Sequence, residues 1–368
     1  MWLDDEMNRP IVRPLTRVAF DVAVRELFAD PGFIALDIGK GKAGGGRFSV
    51  LASRPASSFS FSGGFVTLDG HTSIDAPKAA LEAFLAQATK FERDSCLPFS
   101  GGAIGYVSFE GAKALGGYDP AKGFSRFPQC SFGIYEEAAI FDHVEGSAFV
   151  VSSRADEGET ERASCALTSR LQSSCRSGAE PSSAPAIEAL PFSYLPSDAD
   201  FGLLLKDARE WLRAEVLTRV HVARSLLKPA SSCTPAECYL KATRPGAARM
   251  LFTHEGAAAV VSSEAFAAVS LPKEDMGRLL SEMPSLCASG EPIERAMAFV
   301  SNHEKEHRRF YGGAFGACDG GGVIFHTVDR AACYADGAVS TTAGTEMTAS
   351  SDLREVVDVI AARLESYA

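Results

Sequence analysis

The sequence predicts a mixed α+β chain, and three observations carry that expectation. Short runs rich in Phe, Val and Ile, punctuated by glycine turns, dominate residues 10 to 153. Helical patterns are interspersed among them and recur after residue 197. Between the two lies a stretch with few large apolar residues. It divides the chain into an N-terminal subdomain (1–153), a partly helical Ser/Ala/Pro-rich linker (154–196) and a C-terminal subdomain (197–368).

The elements follow in order. Val18 to Phe28 has helical spacing. Phe33 to Leu36 is a short apolar run suited to a buried strand, and Gly39 to Gly46 holds five glycines and predicts a loop. Strands are expected at Phe48–Leu51 and Phe59–Phe61, with Gly63-Gly64 as a hairpin turn, then a helix over Lys78–Ala88. Cys130–Phe141 and Ser147–Ser152 read as an antiparallel pair about Glu145-Gly146. Glu159–Ser173 reads as a helix, and Ser177–Pro191 as linker. A long helical pattern covers Phe201–Val222. Strands are expected at Met250–Phe252, Ala258–Ser262 and Val323–Thr327. Asp352–Tyr367 closes the chain as a helix with Leu353, Val356, Val357, Ile360 and Leu364 at helical spacing.

Composition narrows the function classes. The 368 residues include 47 acidic and 36 basic side chains, a net charge of −11, which disfavours nucleic acid as a partner. No apolar run is long enough to span a bilayer, so no membrane role is expected. The N-terminal Met1-Trp2-Leu3-Asp4-Asp5-Glu6 has neither a basic nor an apolar signal region. Nine irregularly spaced cysteines then read as reduced thiols in a cytoplasmic protein. Cys233 and Cys238 lack the second pair that a structural zinc site needs.

Four segments, in order, resemble one family. Arg47-Phe48-Ser49-Val50-Leu51 with Arg54-Pro55 is similar to a Gly-Arg-Trp/Tyr-Ser-Phe-Leu strand and turn. Pro98-Phe99-Ser100-Gly101-Gly102-Ala103-Ile104-Gly105-Tyr106 with Ser108-Phe109-Glu110 resembles a Pro-Phe-x-Gly-Gly-x-Val-Gly-Tyr-x-Ser-Tyr-Glu segment. Ser289-Gly290-Glu291-Pro292 with Arg295-Ala296-Met297 is similar to Thr-Gly-Ala-Pro-Lys-x-Arg-Ala-Met, and Tyr311-Gly312-Gly313-Ala314-Phe315-Gly316 to Tyr-Gly-Gly-Ala-x-Gly. These are motifs of the chorismate-utilising enzymes, component I of aminodeoxychorismate and anthranilate synthase. The resemblance implies two facing antiparallel β-sheets flanked by helices, with the active site between them. It also implies a magnesium cofactor and a glutamine amidotransferase-like partner. From the residues themselves, Gly101-Gly102 fits a tight strand crossing, and Gly312-Gly313 fits either a crossing or close approach to a ligand.

The departures from the family carry the functional reading. Ser262-Ser263-Glu264-Ala265-Phe266 resembles the family's Ser-Ser-Pro-Glu strand end, and Met283-Pro284-Ser285-Leu286-Cys287 stands at its Pro-x-Gly-Thr turn. Only about fifteen residues separate them, the length of a single connection. Part of the C-terminal catalytic region is therefore expected to be deleted, including a Lys-Glu-x-x-Glu-His helix that supplies a magnesium carboxylate. Phe325-His326-Thr327 stands where the family has Ile-Arg-Thr, so a titratable ring replaces a permanent cation. Gly344-Thr345-Glu346 replaces a Gly-x-Gly turn and brings a carboxylate near the place of a dianionic substrate. Ungapped counting from Gly344 puts Val356, Val359 and Arg363 at the positions of two metal-binding glutamates and a lysine. A one-residue slip would instead put Glu355 and Asp358 there, three apart on one helical face.

His303-Glu304-Lys305-Glu306-His307 reads H-E-x-x-H. On a helix this pattern aims two imidazoles at one zinc, with His326 as the best third ligand and Glu304 as base. The alternative is a helix end carrying favourable or buried histidines.

The candidate residues are thus His326 and Glu346 for chemistry, and Tyr311, Gly312, Gly313, His326, Thr327, Gly344 and Arg363 for ligand binding. His303, His307, Glu355 and Asp358 are the metal candidates. The leading expectation is a family member without the family's catalysis, which binds a small anionic ligand or a protein. Alternatives are new chemistry in the old cleft and ordinary aminodeoxychorismate synthesis. Two further expectations follow. If the cleft still binds an anion, protonated His326 should help hold it as pH falls through a titration near 6.5; the alternative is a histidine satisfied by neighbouring backbone. The deletion should leave an open strand edge that self-association or a partner covers.

Overall fold

The computed structural model describes residues 10–40, 46–92, 94, 96–118, 126–177, 193–230, 234–241, 248–263, 268–272, 275–286 and 289–365. The chain begins with β1 (Ile11–Pro14), α1 (Phe20–Phe28), β2 (Ile34–Lys40) and β3 (Gly46–Ala52). A hairpin of β4 (Ser57–Ser62) and β5 (Phe65–Leu68) leads to β6 (His71–Ser73), α2 (Pro77–Ala88), β7 (Gly102–Val107) and α3 (Phe109–Leu115). Then come β8 (Cys130–Tyr135), β9 (Glu137–Asp142), β10 (Ser147–Ser152) and α4 (Glu157–Ser177). The second half runs β11 (Ser193–Leu195), α5 (Asp198–Arg213), β12 (Arg219–Pro229), α6 (Pro235–Lys241), β13 (Ala248–His254) and β14 (Ala257–Ser263). It continues with β15 (Ala268–Leu271), α7 (Met276–Leu286), β16 (Gly290–Glu291) and α8 (Ile293–His303). It ends with β17 (Ala314–Asp319), β18 (Gly322–Thr327), β19 (Arg330–Ala335), β20 (Ala338–Met347) and α9 (Leu353–Glu365).

Two antiparallel sheets result. The larger has the order β1-β10-β9-β3-β2-β13-β14-β19-β20-β12-β11, with β16 also on β12; the smaller has β15-β18-β17-β7-β8-β4-β5-β6. Both cross the sequence division at 153 and 197. In the larger sheet β2 pairs with β13, Asp37 opposite Arg249. In the smaller, β7 pairs with β17, Tyr106 opposite Phe315. The two stretches are therefore segments of sequence that build common sheets. The expected linker, Ser177–Pro191, lies outside the described residues beyond Ser177, which ends α4, and so does most of the glycine loop, 41–45.

Three apolar clusters hold the layers together. Ile34, Leu36, Met250, Phe252 and Val261 of the larger sheet meet Ile104, Tyr106 and Phe315 of the smaller one. The far side of the smaller sheet packs on α2, α3 and α7, in a cluster that continues to α5, α8 and α9. α1, α4 and α6 cover the outer face of the larger sheet. Burial of this kind supplies the main driving force of folding, at about 25 cal/mol per Å² of apolar surface.

Three sequence expectations are corrected. Residues 130–141 are two strands in different sheets, β8 in the smaller and β9 in the larger, with the chain crossing at Glu136. The helix predicted to reach Val222 stops at Arg213. Glu215 takes a left-handed φ of 56°, and Arg219-Val220-His221-Val222 then buries alternate residues as a strand does. Finally, β14 is paired on both sides, by β13 and β19, and the open edge beside the expected deletion belongs instead to β15, at the end of the smaller sheet. Residues Glu264, Ala265 and Phe266 lie outside the described ones.

A buried polar knot fixes α6 to the larger sheet. Asp37 is 3% exposed. It accepts from Ser49 Oγ at 2.6 Å, from Tyr239 Oη at 2.6 Å and from Arg249 Nε and Nη2 at 2.9 and 2.5 Å. A buried carboxylate is tolerated when so fully bonded. Asp37→Leu strands the Arg249 charge and should lower stability by about 3–5 kcal/mol in urea unfolding. A loss below about 1 kcal/mol would contradict this account of the knot.

Candidate functional site

The candidate ligand residues converge between the end of β20 and the segment that follows α8. α8 stops at His303 because Glu304 turns extended, at φ −88° and ψ 113°. The chain then folds back through the core. Arg308, 2% exposed, forms a bidentate pair with Glu304, 6% exposed, at 2.6 and 2.5 Å. Its Nη2 also donates to the His221 carbonyl at 2.6 Å, and its guanidinium lies 4.6 Å over the Phe109 ring. This arginine fixes the segment that presents Tyr311.

Tyr311 is buried, and its ring lies directly on Gly344. A Cβ at position 344 would come within 2.5 Å of Tyr311 Cζ and 2.4 Å of the Val222 carbonyl oxygen, so only glycine fits. Arg363 of α9 donates from Nη1 to the Gly344 carbonyl at 2.5 Å. Gly313 passes so close to β7 that a Cβ would lie 2.3 Å from the Val107 carbonyl oxygen. Gly312 donates its N–H to the Val328 carbonyl at 2.8 Å. These two glycines are therefore a backbone crossing. So is Gly102, where a Cβ would meet the Cys318 carbonyl oxygen at 2.3 Å.

The charges around the cleft pair with one another. Glu346 accepts from Arg219 Nη1 at 2.9 Å and lies 3.6 Å from His221 Nε2. Arg219 reaches Glu291 with its other nitrogen at 2.6 Å. His221 Nδ1 lies 3.4 Å from Tyr311 Oη. Burial, then the neighbouring Arg308, push the His221 pKa down to about 4. Burial pushes the Tyr311 phenol up to about 12. Arg219, His221 and Arg308 were missed from sequence, and Glu304 was read there only as the base of a metal site. The polar–apolar alternation of Arg219-Val220-His221-Val222 was the available signal.

His326 faces the inter-sheet space, as the alternation of β18 predicts. Phe325 and Val323 instead enter the helix-side cluster, and Thr327 shares their parity, half-buried at the strand end. His326 is 4% exposed, lies opposite Ala268 and Phe315, and stacks on Phe315 with centroids 5.4 Å apart. Burial pushes its pKa down to about 4. The expected titration near 6.5 is corrected: the ring is neutral at pH 7 and does not stand in for an arginine.

His303 and His307 line one cavity of about 220 Å³, but neither is set up as a metal ligand, and Glu355 and Asp358 lie elsewhere on α9. His303 stacks on Phe299 at 4.5 Å and points Nε2 toward Asp207, 3.9 Å away. His307 lies beyond the helix, with Nδ1 3.7 Å from Glu110. Because α8 ends at His303, H-E-x-x-H is not helical here, and Glu304 is engaged by Arg308. Glu355 and Asp358 face solvent on α9, while Val356 is buried and Val359 half-buried. Among the described residues, no group of three His, Cys, Asp or Glu side chains could hold a metal ion. The donor set present does not fit the magnesium that the resemblance implies.

A match to the chorismate binding enzyme family covers residues 44–278 and 275–355, and the chain belongs to that family. It is 34% identical over 99 residues to anthranilate synthase component 1 of Lactococcus lactis subsp. lactis strain IL1403; the match takes 26% of this chain and spans only 22% of that protein. The fold resembles anthranilate synthase component I from Streptococcus pneumoniae TIGR4 at a TM-score of 0.68 and 17% identity, covering 90% of this chain and 93% of that one. It also resembles MenF, the menaquinone-specific isochorismate synthase of Escherichia coli, at a TM-score of 0.60 and 14% identity, covering 98% and 94%.

His326 yields a test of this packing. An unfolded imidazole takes up a proton near 6.5, but the folded one does so only near 4. Between these values the unfolded chain holds the extra proton. Stability therefore falls as pH drops from about 6.5 to about 4 and levels off below, a contribution on the order of 3 kcal/mol. His326→Phe, which keeps the stack on Phe315, should make the urea midpoint fall less steeply over this range, with His221, His254 and the paired carboxylates supplying the remaining slope. A pH profile parallel to the wild type would contradict the buried neutral ring.

Proposed function

We propose that this chain is a member of the chorismate binding enzyme family that does not catalyse aminodeoxychorismate or anthranilate synthesis and acts by binding. The observation that carries this reading is the packing of Tyr311 against Gly344, with Arg363 spent on the Gly344 carbonyl. The protein's own groups occupy the cleft that the resemblance assigns to the substrate. Three further observations support it. Val356, buried, and Val359, half-buried, stand where the family's carboxylates are expected. His326 is held neutral. The family match falls into two pieces that meet at residues 275–278, within the stretch where the deletion is expected.

A glutamine amidotransferase-like subunit is the protein partner we propose, on the family resemblance. β14 is paired on both sides, so the open edge that self-association would cover is that of β15, at the end of the smaller sheet.

One observation favours a second reading, ordinary family catalysis: the structural alignment covers 93% of the Streptococcus pneumoniae chain, so most of that fold is matched. Two measurements separate the readings. Incubation with chorismate, magnesium and either ammonia or glutamine should form no aminodeoxychorismate or anthranilate. Turnover on the order of one per second would establish the second reading. Protein purified without chelators should carry no stoichiometric zinc or magnesium, and a metal bound one per chain would overturn the assignment of the donor set.

A further inference from the structure

The large open space in this molecule lies away from Tyr311 and Gly344. A cavity of about 1110 Å³ opens between the two sheets where they diverge, at the turns before β14 and β20. It reaches the Ala338 end of β20, six residues from Gly344, or about 20 Å along a strand.

Its smaller-sheet wall has an unusual surface. The register sets Tyr106 opposite Ser131, Ser131 opposite Ser60 and Ser60 opposite Thr67, one row across four strands. Thr72 extends the row, its Oγ1 3.2 Å from Thr67 Oγ1. Directly paired residues of an antiparallel sheet share a face. The other face of the same strands carries Phe59, Phe61 and Phe132, buried in the cluster with α2. The alternation Ser58-Phe59-Ser60-Phe61 thus writes an apolar face outward to the helix and a hydroxyl face inward to the cavity. Inward faces of paired sheets are ordinarily the apolar ones. Here Ser60, Thr67 and Ser131 are only half-buried, so the row is accessible from the cavity.

The rest of the lining complements that row. The opposite wall is small and apolar, with Ala257, Ala335 and Ala338, and the cavity continues past the end of the larger sheet to Thr234 and Pro235 at α6. The floor is the stacked pair Tyr106 and Phe252, 4.5 Å between centroids. Charges at the rim are engaged within the protein. Asp30 pairs with Arg170 and Arg54, and Asp336 with Arg126. Burial lowers the pKa of His254, which leaves it neutral at pH 7, and Glu255 beside it disfavours an anion.

We infer that this cavity binds an uncharged, polyhydroxylated ring compound with one apolar face, the chemistry of a pyranose sugar or its aryl glycoside. Serine and threonine hydroxyls both donate and accept, so a row of them matches a row of ligand hydroxyls. The small apolar wall and aromatic floor receive the ring's C–H face. A purely apolar ligand would leave the hydroxyl row unpaired, and an anion would find its cations already engaged.

The test uses the full chain, titrated by calorimetry and saturation-transfer NMR. The probes are the methyl and p-nitrophenyl glycosides of glucose, galactose and mannose, with glucose 6-phosphate and nitrobenzene as controls. At least one glycoside should bind saturably, more tightly than either control. Ser60→Val together with Ser131→Val should weaken that binding about tenfold or more, as loss of hydrogen bonds predicts. Ser60→Ala, a milder change at a half-buried position, should weaken it in the same direction if the double variant fails to fold. Three results would overturn the inference: no glycoside binds, a control binds as well, or both variants bind unchanged. Turnover of chorismate would leave it standing, since the two sites are separate.

Discussion

The passage of residues 308–313 between the two sheets is the constraint on which the site depends. Both sheets draw strands from both halves of the chain, and this segment links the end of α8 to β17 through the interior. Such a passage is possible only where backbone meets backbone without side chains between, which is why Gly313 lies against Val107. It also needs its polar groups satisfied in a dry place, which Glu304 does for Arg308 and Arg308 does for the His221 carbonyl. Once this segment is fixed, Tyr311 has one place to go, and that place is the surface of Gly344.

Electrostatics follow from the same packing. A cleft built for an anion would hold cations in wait, with desolvation raising the strength of each contact. Here Arg219 is shared by Glu291 and Glu346, Arg363 is directed to a backbone carbonyl, and the half-buried His221 and the buried His326 are kept neutral chiefly by desolvation. The carboxylate of Glu346, unfavourable beside a dianionic substrate, is compatible with a cleft that has turned its charges on one another. The cavity with room in it is at the other end of the sandwich and is lined by hydroxyls instead of charges.

Much of the fold was legible because short motifs carry strong local geometry. The helix of Val18–Phe28, the hairpin at Gly63-Gly64 and the closing helix follow from periodicity and turn chemistry alone. The motif-bearing glycines marked real crossings. What sequence could not supply was the partner of each side chain. Continuous apolar alternation hid the switch between sheets at Glu136, since a strand buried on both faces reads the same in either layer. A helix end was one of the two readings of H-E-x-x-H, but the pairing that accompanies it, Glu304 with Arg308, is tertiary and not legible in the motif. His326 was placed on the correct face, but its protonation depended on burial that a sequence does not state.

The central claim is that the family's substrate cleft is closed from within by Tyr311, Gly344 and Arg363. Calorimetric titration of the purified chain with chorismate in the presence of magnesium addresses it directly, because binding is measured whether or not chemistry follows. The account predicts no saturable heat up to about 1 mM chorismate, the upper end of ordinary enzyme KM values. Stoichiometric binding below that concentration, abolished by Arg363→Ala, would contradict it.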